Sequence, residues 1–262
     1  MLTFDSIVSA GIKRIYEEDY ESQKHYLTTL IEDVRFSRVD PILKAQGFFV
    51  PNAEYMINYF GPEARSPRLD MYSYGECIWD NYVVFPIRNI TNTIVGLTGF
   101  DPIQKFRKNE GERSLQGHYK YSNKDVFNRG KYIFTNAGIF DKAIEDEYVC
   151  LVDGVFDMLY MNDAGFNTFS LLGSDLSDEI LMQLNFIKYM FVVEDNDAAG
   201  RKLYNKLSAA FPRRVFYLRQ NEFKDIDDML KSKYRDTAIA KIRAAINGKY
   251  SYSLRLKPLV KS

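Results

Sequence analysis

The sequence predicts an α/β protein, α+β over the whole chain, in which a mostly parallel sheet flanked by helices follows a smaller α+β subdomain. Between residues 148 and 230, short apolar runs alternate with helical patterns, which is typical of parallel sheets. Upstream, residues 78–135 contain β-rich runs and then a strongly basic stretch. A chain of 262 residues with 46% hydrophobic composition is long enough for both parts to bury a core.

The elements before residue 146 are predicted from spacing and from chain breakers. Residues 20–35 carry apolar side chains at helical spacing, and residues 41–46 form a shorter helical pattern. Residues 82–87 and 93–97 are predicted strands, and residues 89–92 suit a hairpin connection between them.

The elements after residue 146 alternate regularly. The predicted strands are residues 148–152, 167–172, 189–193 and 214–218, and the predicted helices are residues 155–163, 176–184, 197–211 and 236–246. Ser174 or Asp175 is placed to cap the second of these helices. The tail up to Ser262 is basic, and we expect it to be loose. The predicted organisation is thus a helical segment, a basic subdomain, a catalytic domain and a C-terminal helix with a basic tail, over residues 1–75, 76–145, 146–235 and 236–262.

Charge and cysteine content exclude several classes of protein. Lysine plus arginine number 35, as do aspartate plus glutamate, so contact with nucleic acid has to come from a local basic patch. Two cysteines, far apart, form no zinc-ligand pattern or disulfide framework, so we expect no zinc. With no apolar run long enough to span a bilayer and no signal segment, we expect a cytoplasmic protein without a membrane partner.

Acidic residues follow three of the four predicted strands. Asp153 and Asp157 come after the first strand, and further acids follow the third and fourth strands: Glu194, Asp195, Asp197, Asp225, Asp227 and Asp228. Ligands of open parallel sheets bind beyond the carboxyl ends of the strands, so we expect these side chains to converge. Any one pair taken alone is better explained as a helix cap or a partner of the helix dipole. Acids at three of the four strand ends favour a shared site.

The convergence predicts a divalent metal site. Carboxylates gathered at one edge repel one another unless a cation neutralises them. Oxygen ligands without histidine or cysteine favour Mg²⁺ or Mn²⁺, and we expect more than one ion. Gly154 allows a tight turn beside a metal or phosphate. Asp195 and Asp197 face the same way if their segment is extended, about 7 Å apart along the chain.

These acidic segments resemble the motifs of Toprim domains. Residues 151–157, LVDGVFD, resemble the first motif, and residues 191–201, FVVEDNDAAGR, resemble the second. Residues 224–230, KDIDDML, resemble the third acidic element of the primases. Toprim domains also occur in topoisomerases, recombination mediators and nucleases, so the upstream half of the chain decides among these classes.

The upstream half resembles the core of DNA primases of the bacterial and phage type. Residues 84–88, VFPIR, with residues 94–99, IVGLTG, resemble the hairpin that precedes the Toprim part. Residues 118–123, HYKYSN, and 127–131, FNRGK, resemble the basic motifs that follow it. The resemblance covers roughly residues 80–230, and extends more loosely from about residue 40. It implies a Toprim-type sheet and an enzyme that makes short RNA primers on single-stranded DNA from ribonucleoside triphosphates, with a replicative helicase as partner.

Carried over by position, the resemblance assigns roles to individual residues. Asp153, Asp195 and Asp197 would be catalytic. The metal ligands would be Asp153, Asp195 and Asp225, supported by Asp157, Asp197 and Asp227. A basic groove for template, primer or nucleotide would be lined by Arg88, Lys120, Asn123, Lys124, Arg129 and Lys131. For any one of these basic residues, a solvated surface charge is the commoner explanation.

Two departures from the family pattern keep alternatives open. Asp153 stands where the family usually has glutamate, which shortens its reach by one methylene and puts a general-base role in doubt. We also expect neither a zinc-binding module nor a helicase domain, as in a small stand-alone phage primase acting in the host cytoplasm. The alternatives are a Toprim nuclease, a catalytically inactive nucleic-acid-binding module and, less favoured, a topoisomerase.

Overall fold

The structure, a computed structural model, describes residues 3–30, 53–65, 72–73, 76–77, 79, 82–100, 119–122, 131–171, 176–194, 198–220, 222–223 and 225–254. The chain divides into two compact units, Met1–Asn128 and Arg129–Ser262. The finer boundaries at residues 75, 145 and 235 stay predictions.

The first unit combines helices with an antiparallel sheet. Its helices are Phe4–Glu18 (α1), Tyr20–Leu30 (α2) and Ala53–Phe60 (α3), followed by a short 3-10 helix, Pro62–Arg65. Strands Tyr72–Ser73 (β1) and Glu76–Cys77 (β2) form an antiparallel pair. Strands Val83–Arg88 (β3), Ile94–Phe100 (β4) and Tyr119–Ser122 (β5) form an antiparallel sheet in the order β3-β4-β5.

The core of the first unit explains why α1 lies where it does. Val8, Ile12 and Ile15 recur at helical spacing and are buried in one cluster with Phe60 and Trp79. At the start of β4, the backbone N–H of Ile94 donates to Asp5 Oδ1 at 2.8 Å, which ties α1 to the hairpin.

The hairpin predicted at residues 89–92 is present between β3 and β4. Asn92 has a φ of +63°, and the Asn89 side chain accepts hydrogen bonds from the backbone N–H groups of Thr91 and Thr93. Asparagine tolerates this left-handed conformation better than most residues, which explains the turn. Pro86 is accommodated because β3 lies at an edge of the described three-stranded sheet.

The second unit is built on a parallel sheet. Its strands are Tyr148–Val152 (β6), Thr168–Ser170 (β7), Tyr189–Glu194 (β8), Val215–Gln220 (β9) and Tyr252–Leu254 (β10). They lie in the order β10-β9-β8-β6-β7, and every pairing is parallel. The chain proceeds from β6 to β7 on one side and then crosses to β8 on the other. The carboxyl ends of β6 and β8 therefore flank the switch point, where open α/β sheets bind ligands.

Helices cover this sheet. They are Ile139–Glu145 (α4), Val155–Asp163 (α5), Asp178–Leu184 (α6), Ala198–Ala210 (α7), Ile226–Lys231 (α8) and Arg235–Gly248 (α9). Residues Val155 to Met161 are all buried, so α5 is apolar on nearly every side and lies inside the unit. Strand β6 is buried from Val149 onwards, as its unbroken apolar run predicts.

The mostly parallel sheet flanked by helices and the smaller α+β part before it are confirmed. Three local predictions were wrong or incomplete. The cap of α6 is Ser177, whose Oγ accepts from the N–H of Ile180 at 3.3 Å, rather than Ser174 or Asp175. Tyr252–Leu254, predicted to be loose, pairs with β9. Helices α4 and α8 had not been predicted, and α1 and α3 had been expected only as part of a mainly helical segment over residues 1–75. The helical pattern at residues 41–46 lies outside the described residues.

Within the part of the chain that the structure describes, no helix combines the length and the apolar character that crossing a bilayer requires.

Candidate metal centre

Three aspartates meet beyond the carboxyl end of the parallel sheet. Asp157 lies in the first turn of α5, Asp225 precedes α8 as its cap, and Asp227 lies in the first turn of α8. Each offers a carboxylate oxygen, and these oxygens lie within 4.8 Å of one another. This spacing lets one cation contact all three carboxylates.

The turn between β6 and α5 places Asp157. The Ser170 hydroxyl, at the end of β7, donates to the backbone carbonyl of Asp153 at 2.8 Å and holds the turn against the neighbouring strand. Gly154 follows, and a Cβ built on it would lie 2.4 Å from Asp157 Oδ2. A side chain at position 154 would therefore displace the Asp157 carboxylate, although the φ of −90° itself suits any residue.

The start of α8 places the other two aspartates. Asp225 Oδ1 accepts from the backbone N–H of Asp228 at 3.1 Å, which makes Asp225 the helix cap. The backbone N–H of Asp227 donates to Asp157 Oδ1 at 3.1 Å, so α8 is joined to α5 through the carboxylate itself. The two helices also pack against each other.

The crowding of the acids perturbs Asp227. Its side chain is buried, and burial, a hydrogen bond with Asp225 and the negative charge of Asp225 raise the pKa of Asp227 to about 7. Lys231 opposes the rise without cancelling it. A proton therefore neutralises part of this cluster near neutral pH, and a divalent cation is a natural replacement for it.

Lys231, at the end of α8, lies against the same carboxylates. Its Nζ contacts Asp227 Oδ2 at 3.0 Å and Asp228 Oδ1 at 3.4 Å. Its side chain is only 5% exposed, and its Nζ lies 5.4 Å from the centre of the Tyr160 ring on α5. Sequence reasoning missed this residue, although the spacing of four between Asp227 and Lys231 on one helix was a usable signal.

The structure describes only some of the other predicted acidic residues. Asp153 is exposed directly after β6 and is not among the described acids that lie close enough together to share an ion. Glu194 ends β8 beside the switch point. Asp195 and Asp197 follow it and lie outside the described residues. The metal roles of Asp153, Asp195 and Asp197 stay predictions.

Of the predicted basic groove, only part can be described. Arg88 Nη1 donates to the carbonyl of Asn92 at 2.9 Å across the hairpin, and burial lowers the pKa of Arg88. Lys131 is exposed and pairs with Glu179 at 3.4 Å. Lys120 lies in β5 next to the hairpin strand β4. Asn123, Lys124 and Arg129 lie outside the described residues, and the groove stays a prediction.

Comparison with known proteins agrees with this geometry. The family described as Toprim-like matches residues 150–230, which contain the three clustered aspartates. No curated protein matches the chain.

Several solved primase structures share the fold. The Aquifex aeolicus primase, a structure of its zinc-binding and RNA polymerase domains, is 19% identical with a TM-score of 0.67, over 94% of this chain and 62% of that one. The RNA polymerase domain of Mycobacterium tuberculosis primase DnaG is 16% identical with a TM-score of 0.67, over 93% and 84%. A DnaG primase catalytic domain bound to single-stranded DNA is 16% identical with a TM-score of 0.66, over 92% and 78%.

The chain thus spans less than two thirds of the Aquifex aeolicus structure but most of the other two. It contains a Toprim-like domain and has the fold of Toprim-type primase catalytic cores, as the sequence resemblance predicted.

Proposed function

We propose that this chain is a DNA-dependent RNA primase, which joins ribonucleotides into short primers on single-stranded DNA by metal-dependent nucleotidyl transfer. The observation that carries the proposal is the meeting of Asp157, Asp225 and Asp227 within 4.8 Å, inside a Toprim-like domain of a primase-core fold. The single-stranded DNA bound to a neighbour of the same fold supports the template. A replicative helicase as partner and a phage setting in the host cytoplasm belong to the proposal.

The residues of the cluster fit Mg²⁺ or Mn²⁺. All three donors are carboxylates, which hard divalent cations prefer. Burial, together with the hydrogen bond and negative charge of Asp225, raises the pKa of Asp227 to about 7, and a bound cation would stabilise its ionised form instead. Asp157, Asp225 and Asp227 would hold one ion, and Asp153, Asp195 and Asp197 would complete the centre, with room for more than one ion. When bound, the metal would neutralise the triphosphate and make the primer 3′-hydroxyl a better nucleophile.

The side chains of the protein would bind the nucleic acid and the nucleotide and would orient the reacting groups. The basic groove of Arg88, Lys120, Asn123, Lys124, Arg129 and Lys131 would bind the phosphates of template, primer and incoming nucleotide. Holding the 3′-hydroxyl in line with the α-phosphorus removes the entropic cost of their encounter. The bond from the 3′-oxygen to the α-phosphorus would form as the bond from the α-phosphorus to the bridging oxygen breaks, so that pyrophosphate leaves and the hydroxyl proton passes to solvent. The hydrogen bond and packing between α5 and α8 would hold the carboxylates together during this step.

The test is synthesis on a single-stranded template with labelled ribonucleotides and Mg²⁺ or Mn²⁺. We expect short, alkali-sensitive products from the wild type and none from an Asp195→Ala, Asp197→Ala double variant. Asp236→Asn is the matched control, because the Asp236 side chain is 98% exposed. Cleavage of the template would indicate the nuclease instead. Binding with neither product would indicate an inactive module, and either result overturns the proposal.

A further inference from the structure

The buried ammonium of Lys231 has no role in the function proposed so far. Its Nζ lies 3.0 Å from Asp227 Oδ2, and both side chains are almost fully buried, at 5% and 4% exposure. The Tyr160 ring, which is buried on α5, lies beneath the same Nζ. Lys231 is therefore held by α8 and α5 together, against a carboxylate that we assign to the metal centre.

Fold stability alone gives a weak reason for such a pair. Removing two charges from water costs about as much as their attraction returns, and apolar replacements of buried ion pairs are often neutral or stabilising. The contact does, however, fix the orientation of the carboxylate. Asp227 Oδ2 accepts from Lys231 Nζ at 3.0 Å, which restricts rotation of the carboxylate that would meet the ion.

The charge of Lys231 also acts on any ion in the cluster. Asp157, Asp225 and Asp227 carry three negative charges when ionised, and Lys231 places one positive charge against Asp227 and Asp228 at the edge of this cluster. A fixed positive charge a few ångströms from the ion repels it, and burial leaves that repulsion poorly screened. When the cluster is fully deprotonated, the same three carboxylates would hold the ion more tightly without Lys231.

We propose that Lys231 is a positioning residue that orients Asp227 and, as a fixed cation, limits how tightly the cluster holds its divalent ion. This inference rests on the metal centre of the proposed function. Its consequence is an ion that binds loosely enough to arrive and leave with the triphosphate and pyrophosphate that it neutralises.

The experiment is Mn²⁺ titration of the purified chain, with free Mn²⁺ read by electron paramagnetic resonance, beside the primer-synthesis assay. Lys231→Met removes both the charge and the donor. Lys231→Gln removes the charge and keeps a donor. We expect both variants to bind Mn²⁺ about ten-fold more tightly or better, while synthesis falls, by more in Lys231→Met. Lys231→Arg keeps the charge and the donor, so it should show the Mn²⁺ affinity and the primer synthesis of the wild type.

Two controls locate the effect. Lys233→Gln removes the charge of an exposed lysine two residues further on and should leave Mn²⁺ affinity unchanged. Asp225→Asn combined with Lys231→Gln should lose the gain in affinity, because Asp225 supplies one of the ligands.

Unchanged or weaker Mn²⁺ binding by folded Lys231→Gln would overturn the inference and reduce Lys231 to a structural ion pair. Circular dichroism establishes which variants are folded. A wild type that binds Mn²⁺ but makes no primers would sink the proposed function and leave the Lys231 test intact. A wild type that binds no Mn²⁺ would overturn the inference as well.

Discussion

Asp157 and Asp227 are joined by a hydrogen bond of 3.1 Å, from the backbone N–H of Asp227 to Oδ1 of Asp157, across 70 positions of the chain. One carboxylate thus serves as a structural acceptor at the start of α8 while it lies within reach of two other acids. The site is assembled by the packing of α5 on α8, so changes to either helix terminus are expected to act on metal binding.

Gly154→Ala tests the packing of the first turn. Its Cβ would lie 2.4 Å from Asp157 Oδ2, so we expect Asp157 to be displaced and Mn²⁺ binding to weaken. Overpacking of this kind costs about 1–3 kcal/mol of unfolding free energy. Urea unfolding and Mn²⁺ titration measure the two effects. In an Asp157→Ala background, which lacks the clashing carboxylate, Gly154→Ala should cost no further stability. Mn²⁺ binding by Gly154→Ala as tight as by the wild type would contradict the geometry.

Asp227 makes the metal-free protein sensitive to pH. Its pKa is about 7 in the folded chain against an ordinary value of 3.8, so the folded state binds the extra proton between these values. The stabilisation from that proton is complete below about pH 4 and is lost as pH rises through 7. We expect urea midpoints to fall between pH 5 and 8 more steeply for the wild type than for Asp227→Asn.

Divalent cations should counter this loss, because they bind the deprotonated cluster. Saturating Mg²⁺ is expected to raise the urea midpoint more at pH 8 than at pH 6. If the urea midpoints of the metal-free wild type and of Asp227→Asn change equally between pH 5 and 8, Asp227 does not titrate in this range.

Iron-directed cleavage should locate the metal centre in the chain. Fe²⁺ with ascorbate generates hydroxyl radicals at the bound ion, and we expect backbone cuts near residues 153–157 and near residues 225–227. Excess Mg²⁺ should suppress both, and Asp225→Asn should weaken both together because the ion is shared. Cuts confined to one segment, or found elsewhere only, would argue against a shared site.

Ser177 should stabilise α6 as its cap. Its Oγ accepts from Ile180, so Ser177→Ala is expected to cost about 1 kcal/mol in urea unfolding. Ser177→Asp keeps an acceptor and should retain the stability. Loss of stability in both variants to the same degree would point to packing rather than capping.

Local pattern was enough to predict β6 and α5, whose bounds match the structure at Tyr148–Val152 and Val155–Asp163. An unbroken apolar run, a glycine turn and a helical run are signals within a few residues of one another. The same reasoning placed acids at the strand ends, because parallel strands end at one edge of a sheet.

The contacts that build the metal centre join residues far apart in the sequence, so local sequence patterns could not predict them. Nothing within ten residues of Asp227 indicates that its N–H bonds to Asp157, or that Tyr160 lies against Lys231. Helix α8 has only six residues, which is too short for a helical spacing of apolar residues to be recognised in the sequence. Asp225 directly before Ile226 was nevertheless a usable signal for a helix cap. Strand β10 was missed because its pairing with β9 compensates for a weak local preference.

Template-directed incorporation is the most direct test of the central claim, that these carboxylates serve RNA synthesis. The measurement is the rate at which a labelled ribonucleotide is joined opposite its complement on single-stranded DNA, for wild type, Asp225→Asn and the exposed control Asp236→Asn. Loss of a metal interaction worth several kcal/mol predicts a rate roughly 100-fold lower for Asp225→Asn, with the control unchanged. Asp225→Asn at the wild-type rate, or a folded wild type without metal-dependent incorporation, would contradict the account.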